Sequence, residues 1–369
     1  MRASSFSQII NLLILLLLLL AGLFLFPILE TNYDSFYQFV PFLKSEEVAK
    51  QAVISPLPVS EPIETNLQLL FFGDLMLDRN VKAILVKKNL DFLLSGLASS
   101  TDFSKFDLVG ANLEGAVTNG GEHYAPDMGF DFSFVPGTVA ELKKYNFSYF
   151  TLANNHFSDQ GERGIKETRE NLKNLGFNYS GEADAQISEN SLSLLDIKDK
   201  RLALISFSMV YHNFDLESAK KIISDIRSQV DWIIINIHWG NEYQHNFSAW
   251  QQKIGRELVD SGADIIIGHH PHVVQGMEIY QNRPIFYSLG NFIFDQYFSA
   301  ETQEGLSLEL GLVKNQITIT LKPLSSQRSQ VLPMAENKKN IFLDNFATWS
   351  KADEGLKKQI QAQIINIAK

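Results

Sequence analysis

The first strong feature of the chain is one long apolar run. From Ile9 to Leu29 only Asn11 interrupts it, and at ~1.5 Å rise per helical residue such a run crosses a ~30 Å hydrocarbon core. It outlasts the apolar region of a cleaved signal peptide, and Phe26-Pro27-Ile28-Leu29-Glu30 offers no small-residue cleavage site. The pattern therefore predicts an uncleaved transmembrane helix at 9–29. Arg2 precedes it, whereas Glu30 and Asp34 follow it. The positive-inside bias then assigns 1–8 to a short cytoplasmic segment and the rest of a single-pass cell-membrane protein to the extracytoplasmic side. Residues 30–65 are of mixed charge and end in Pro56-Leu57-Pro58-Val59-Ser60-Glu61-Pro62. Those prolines deny helix and favour an extended linker.

From Leu67 the pattern changes to short apolar runs that end in polar residues. Leu67–Phe72, Phe106–Ala111, Ser148–Ala153, Asp231–Ile237 and Ala263–Ile267 read as buried strands. Between them Val81–Leu97, Glu162–Leu175, Leu216–Val230 and Ala249–Ser261 space their apolar residues by three and four, as helices buried on one face require. Strand alternating with helix predicts an α/β fold. Further strands at Leu202–Phe207, Val273–Tyr280, Pro284–Leu289, Leu306–Leu312 and Ile317–Leu321 have short links such as Lys314-Asn315-Gln316. Short links imply hairpins, and hence mixed sheets. In the tail, Leu356, Ile360, Ile364 and Ile367 fall on one helical face. The expected division is a main domain at 66–323 and an amphipathic helical tail at 324–369.

Composition narrows the function. With 45% apolar residues in 369, the chain has ample material for a core. A net charge of −10 gives no electrostatic footprint for a nucleic-acid backbone. There is no cysteine, so a metal must be held by His, Asp, Glu and Asn.

Five polar clusters follow the buried strands: Gly73-Asp74, Asn112-Leu113-Glu114, Asn154-Asn155-His156, His238-Trp239-Gly240 and Gly268-His269-His270-Pro271-His272. In an α/β sheet, ligands bind at the carboxyl ends of strands. Three of the eight histidines fall between His269 and His272, and strand alternation would point His270 and His272 to the same side. Imidazoles, carboxylates and an amide oxygen suit one or two divalent ions such as Mn, Fe or Zn.

Six ordered motifs carry a resemblance. Gly73-Asp74-Leu75-Met76-Leu77-Asp78-Arg79, Ala111-Asn112-Leu113-Glu114, Leu152-Ala153-Asn154-Asn155-His156, His238-Trp239-Gly240-Asn241-Glu242-Tyr243, His270-Pro271-His272 and Tyr287-Ser288-Leu289-Gly290-Asn291-Phe292 resemble those of the CapA family of capsule and poly-gamma-glutamate biosynthesis. The resemblance covers roughly 66–300. It implies a four-layer α/β/β/α sandwich of two mixed sheets, similar to the calcineurin-like metallophosphoesterases. By that likeness the metal ligands are Asp74, Glu114, Asn155, His238, His270 and His272, and His156 assists a leaving group. Glu114, Asn155, His238 and His270 would surround one position, with Asp74, Glu114 and His272 around another. Two departures stand out: the usual Asp-x-His opening is Asp74-Leu75-Met76, and a bridging aspartate is replaced by Glu114. Inside the same motifs Arg79 and Asp159 are candidates beside His156 for catalysis, Glu242, Gln275 and Asn291 for substrate, and Asp295 for support.

Two functions fit these residues. One is a metal-dependent hydrolase or transferase acting outside the membrane on a phosphoester or a capsule-polymer linkage. The other is a non-catalytic subunit that binds the anionic polymer or organises a membrane synthase or export complex.

Overall fold

The apolar runs after Leu67 form two sheets whose central strands are buried on both faces. A computed structural model of the chain describes residues 66–126, 129–210 and 214–369. The expected anchor and linker lie outside the described residues, and among the described residues no helix is long and apolar enough to cross a membrane.

The first sheet has nine described strands. Across it run Gln330–Pro333, Gln316–Gln327, Glu304–Val313, Leu67–Leu75, Leu108–Leu113, Phe147–Thr151 and Asn178–Ser180, with Asn291–Ile293 beside Leu67–Leu75 and Ile364–Ala368 beside Gln316–Gln327. Leu67–Leu75, Leu108–Leu113, Phe147–Thr151 and Asn178–Ser180 are parallel; the hairpin strands on the other flank are antiparallel. The second sheet has six described strands in the order Val274–Tyr280, Arg283–Leu289, Ile265–His269, Trp232–His238, Lys200–Ser208 and Leu192–Ile197. Its four central strands are parallel and its two edges antiparallel. This is the mixed α/β architecture that the alternating pattern predicts.

Period-two alternation within each strand assigns its side chains to layers. Leu67, Leu69 and Phe71 of the first sheet and Trp232, Ile234, Ile265 and Ile267 of the second meet in one inter-sheet core. Leu70 and Phe72 face the other way, into the helices Arg79–Ala98 and Gly161–Asn174. Ile233, Ile235 and Ile266 face the helices Leu216–Ile226 and Ala249–Asp260. Each helix of that second pair has a polar cap. Asp215 accepts the Ser218 N–H at 3.1 Å, and Ser248 with Gln251 forms a reciprocal capping box. With parallel strands central in both sheets, their carboxyl ends emerge along one edge, where the polar clusters sit.

The tail departs from the expectation of one amphipathic helix. It comprises a strand (Gln330–Pro333), two helices (Glu336–Trp349 and Glu354–Gln361) and a final strand (Ile364–Ala368). Ile364 and Ile367 do not continue the helical face, because Gln363 turns at φ 60° and the chain then pairs antiparallel with Gln316–Gln327. Phe342, Leu343, Phe346, Ile360, Ile365 and Ile367 are buried in the inter-sheet core. The tail is thus part of the domain, and a boundary at 323 cuts through a strand. A five-residue ladder with a single buried face resembles one side of a helix in a short window, and only the pairing partner distinguishes the two.

A fragment ending at 323 should therefore be insoluble or molten, whereas one continuing to 369 should unfold cooperatively. Phe346→Ala within the longer chain should cost about 3–5 kcal/mol in a urea titration. A 66–323 fragment with native-like near-ultraviolet circular dichroism would contradict the assignment of the tail to the core.

Candidate metal centre

The site is built where the two sheets end together. In the first sheet Asp74 and Asn112 are cross-strand partners, and Asp74 also pairs with Asn291. In the second sheet His238 and His269 are partners on adjacent parallel strands. Gly73 lets the first strand approach Gly290 so closely that a Cβ would lie 1.9 Å from the Gly290 carbonyl oxygen. That approach is sealed by the Asp74 N–H donating to the Gly290 oxygen at 3.0 Å.

Asp74, Glu114 and His238 are almost completely buried. One potential ligand atom from each lies within 4.8 Å of the others. Asn112 threads the group together: its Nδ2 donates to Asp74 Oδ1 at 2.8 Å and lies 3.1 Å from Glu114 Oε1 and 3.2 Å from His238 Nδ1. Asn154 in turn donates to Asn112 Oδ1 at 3.0 Å. Asn155 Oδ1 is 2.7 Å from His238 Nε2. His269 Nδ1 lies 3.5 Å from Asp74 Oδ1, and its Nε2 lies 3.3 Å from Asn236 Oδ1.

The second trio is Glu242, His270 and His272, again with one ligand atom from each within 4.8 Å of the others. His272 Nδ1 is held by Asn291 Oδ1 at 2.9 Å. The His270 N–H donates to Asp74 Oδ2 at 3.3 Å. This grouping differs from the expected one in part: Asp74 joins Glu114 and His238 yet keeps its expected neighbour His272, whose Nδ1 is 3.4 Å from Asp74 Oδ2, and His270 joins His272 with Glu242, a residue expected at the substrate. The reason for the convergence also differs. The strand ends at His269, and His270 and His272 have φ of 97° and 57°. They are therefore aimed by a left-handed turn and not by strand alternation. Such backbone in non-glycine residues costs of order 1–3 kcal/mol each and concentrates at functional sites.

A cavity of about 630 Å³ opens over this floor, lined by Arg79, Asn155, His156, Asp159, Glu242, His272 and Asp295 together with Tyr243, Phe132, Phe294 and Phe298. His156 Nδ1 lies 2.8 Å from Asp159 Oδ2, and that carboxylate also accepts the Phe132 N–H at 2.9 Å. Asp159 thus orients the ring. Arg79 is paired with Asp295 and its guanidinium sits 4.8 Å from the Phe132 ring centre. Gln275 is not brought to the cavity: its amide accepts from Gln251 at 2.8 Å and donates to the Gln244 carbonyl at 2.7 Å. Asn291 does not line the cavity; it meets the site through His272 and through Gln296, a cavity-lining residue whose Oε1 accepts from its Nδ2 at 3.0 Å. His245 is not free in solvent but stacked on Trp349 at 4.0 Å. Asn112 and His269 stand in the polar clusters of the sequence without a role assigned by pattern or resemblance, although two-residue spacing already puts Asn112 on the same strand side as Glu114.

The electrostatics show a buried charge cluster under strain. Burial raises Asp74, but hydrogen bonds and positive charge from His269 and His272 prevail and hold it well below the usual carboxylate range. Burial and the neighbouring Asp74 push Glu114 well above that range. Burial and His270 push His238 well down, and burial, with His272, brings His270 to about 3. Glu114 Oε2 and His270 Nδ1 are buried without a hydrogen-bonding partner. Oxygen and neutral imidazole donors aimed into one small space suit a divalent cation.

The metal-free protein should lose stability as pH falls from ~6.5, where histidines of the unfolded chain begin to bind protons, towards about 3, where folded His270 does so. In that window the unfolded state binds more protons at His238 and His270, so acid favours unfolding. Glu114, shifted upward, offsets part of this above its ordinary value. Urea midpoints with a chelator at pH 7 and pH 5 test it: the wild type should fall more steeply than His270→Asn, and equal slopes would contradict the burial of neutral His270.

The family described as bacterial capsule synthesis protein PGA_cap matches residues 68–296. The chain is similar to the capsule biosynthesis protein CapA of Bacillus anthracis, with 29% identity over 81% of this chain and 79% of that one. It is likewise similar to the PGA biosynthesis protein CapA of Bacillus subtilis, with 32% identity over 66% and 67%. Among solved structures, a phosphatase from Mycoplasma pneumoniae superposes with a TM-score of 0.43 at 13% identity, over 73% of this chain and 92% of that one. With the match spanning the strands that carry both trios, the chain belongs to the PGA_cap family of bacterial capsule synthesis proteins.

Proposed function

We propose that this protein is a membrane-anchored, extracytoplasmic component of capsule or poly-gamma-glutamate biosynthesis, and that its cleft is a metal-dependent hydrolase- or transferase-type site of metallophosphoesterase character. The observation that carries the reading is the buried trio Asp74, Glu114 and His238, with its ligand atoms within 4.8 Å and Glu114 Oε2 unpartnered beneath the cavity. Asn155, 2.7 Å from His238, adds an amide oxygen. The apolar run Ile9 to Leu29 supports the anchor.

A divalent ion held by Asp74, Glu114, His238 and Asn155 would supply Lewis acidity and a more acidic bound water. The chain's own groups supply the rest. Asp159 engages Nδ1 of His156, leaving Nε2 as the atom that exchanges a proton with a leaving group. Arg79, steadied by Asp295 between Phe132 and Phe294, meets an anionic group of the substrate. The aromatic walls reduce local water, which strengthens each of these interactions. Although the protein carries −10 overall, a bound cation with Arg79 makes the cleft locally positive.

The Bacillus relatives are named for synthesis and not for hydrolysis, which favours a second reading: the same cleft binds the emerging anionic polymer for a membrane synthase or export complex without turnover.

Elemental analysis after dialysis should give about one tightly held ion per chain in wild type and in His245→Ala, and little in His238→Ala, since even an outer hydrogen-bonding partner of a metal ligand is worth ~10–100-fold in affinity. Undiminished metal in His238→Ala would remove that residue from the centre. A screen of phosphoesters and peptide amides with the same proteins separates the two readings: bound metal without turnover on any substrate favours the polymer-binding role.

A further inference from the structure

The helix Arg79–Ala98, on the outer face of the first sheet, carries a feature that the cleft does not use. It breaks at Asn89, which takes φ 68° and ψ 175° and whose Oδ1 accepts the Phe92 N–H at 3.1 Å. Just before the break stand Val86, Lys87 and Lys88, all exposed. Beside them lies the hairpin turn between Gln316–Gln327 and Gln330–Pro333, in which Arg328 and Ser329 take φ of 49° and 68°. That turn is pinned: Ser329 is buried with its hydroxyl donating to the Phe294 carbonyl at 2.8 Å, and Gln330 Nε2 donates to the Phe92 carbonyl at 3.0 Å. Helix and hairpin together form a groove of about 460 Å³ lined by Ile84, Lys87, Lys88, Phe92, Arg328 and two glutamines.

No carboxylate lines that groove, although the chain carries −10 overall. Seven of the eight described arginines pair with a carboxylate. Among the described residues Arg328, Lys87 and Lys88 have no such partner. Asp91, their close neighbour in the chain, is turned away: it accepts the Tyr145 hydroxyl at 2.8 Å and lies 3.7 Å from Lys144. Lys88 Nζ rests 4.1 Å from the Phe92 ring centre, and Val86, at 83%, is the most exposed large apolar side chain among the described residues. Three unneutralised cations around apolar surface call for a partner that is both anionic and apolar. A carboxylate polymer meets the cations but offers nothing to Val86, Ile84 and Phe92. The headgroup region of an anionic bilayer meets both, with phosphates for the cations and the acyl boundary for the apolar groups.

We infer that the groove between helix Arg79–Ala98 and the Arg328-Ser329 turn is a docking surface for an anionic phospholipid bilayer. The inference rests on the anchored reading only in that a tethered domain stays within reach of the membrane; Lys87, Lys88, Arg328 and Val86 carry the contact itself. Docking also places the cleft. Arg79, which lines the cavity, opens the same helix, and its separation from Lys88 along the helix is about 13 Å at ~1.5 Å per residue. The docked domain therefore holds its cleft close to the lipid surface, where a membrane synthase delivers its product.

Because the chain has no cysteine, one introduced thiol can report position. The full-length chain with Val86→Cys, or with Trp250→Cys on a helix that covers the other sheet, is labelled with an environment-sensitive fluorophore. It is then reconstituted in phosphatidylcholine vesicles, with or without phosphatidylglycerol, that carry a headgroup spin-label quencher. The Val86 label should be quenched on the phosphatidylglycerol vesicles alone, and the Trp250 label on neither. Each cation at an anionic surface is worth roughly fivefold in partitioning, so Lys87→Gln, Lys88→Gln and Arg328→Gln together should lower the ratio of docked to undocked chain about 100-fold. Circular dichroism should be unchanged in that variant, and raised salt should release the unsubstituted groove in the same way. Equal quenching of the Val86 label on both vesicles, none on either, quenching of both labels, or quenching that survives the triple substitution and salt would overturn the inference. So would a spectral shift of the Val86 label on soluble poly-glutamate without vesicles, which would give the groove to the polymer. Retention by phosphatidylcholine vesicles reads the anchor separately. Retention without quenching on phosphatidylglycerol fells the docking and leaves the anchor, whereas quenching there of a chain that phosphatidylcholine does not retain fells the anchor and leaves the docking.

Discussion

A carboxylate with no exposure to water governs this structure. Asp74 sits at the end of the first strand, fully buried, and an ionised group removed from solvent must be paired or hydrogen-bonded. Each neighbour answers that demand: Asn112 donates to one oxygen, the His270 N–H to the other, and His269 and His272 bring nitrogens to 3.5 and 3.4 Å. Because those partners come from the second strand of one sheet and the third parallel strand of the other, the charge ties the two sheets together at the same edge. Burial holds His238 and His270 neutral, so they add no positive charge to offset the Asp74 carboxylate that a cation would satisfy.

The inter-sheet core makes this arrangement rigid. Directly beneath the site, Tyr149, Ser180 and Ser206 share hydroxyl contacts of 2.6 to 2.9 Å, and Asn236 links that group to His269. Burial lifts the Tyr149 hydroxyl to about 12, so it remains a neutral donor and acceptor. A satisfied polar network in an otherwise apolar layer fixes register, since slippage would orphan several groups at once. The C-terminal strand and helices close the same core, which explains how residues far from the site in sequence support its geometry.

Above the floor, rigidity gives way to graded exposure. Asp74 and Glu114 are sealed, His156 is partly open with its ring braced by Asp159, and Arg79 and Glu242 stand in the cavity. This gradient runs from a sealed cluster of donor atoms to charged side chains that face the cavity. The left-handed turns at His270, His272 and Tyr243 lie at the boundary between the two, where strained backbone aims side chains that a regular strand would point elsewhere.

Much of this was legible in the sequence. Short apolar runs and helical periods marked the alternating elements and their layers, because a strand buried on both faces is continuously apolar and a helix buried on one face repeats every 3.6 residues. The absence of cysteine limited the donors, and six ordered motifs indicated the family and the residues Asp74, Glu114, Asn155, His238, His270 and His272. What sequence could not determine was which donors share a centre. Glu242 joins His270 and His272, and Gln275 is turned to Gln251, because backbone turns and cross-sheet contacts set those distances. The tail shows the same limit: Ile364 and Ile367 fit a helical face by spacing, yet the neighbouring strand Gln316–Gln327 recruits them into a sheet. Local pattern records what a segment must bury; only the tertiary structure decides against what, and therefore which side chains meet.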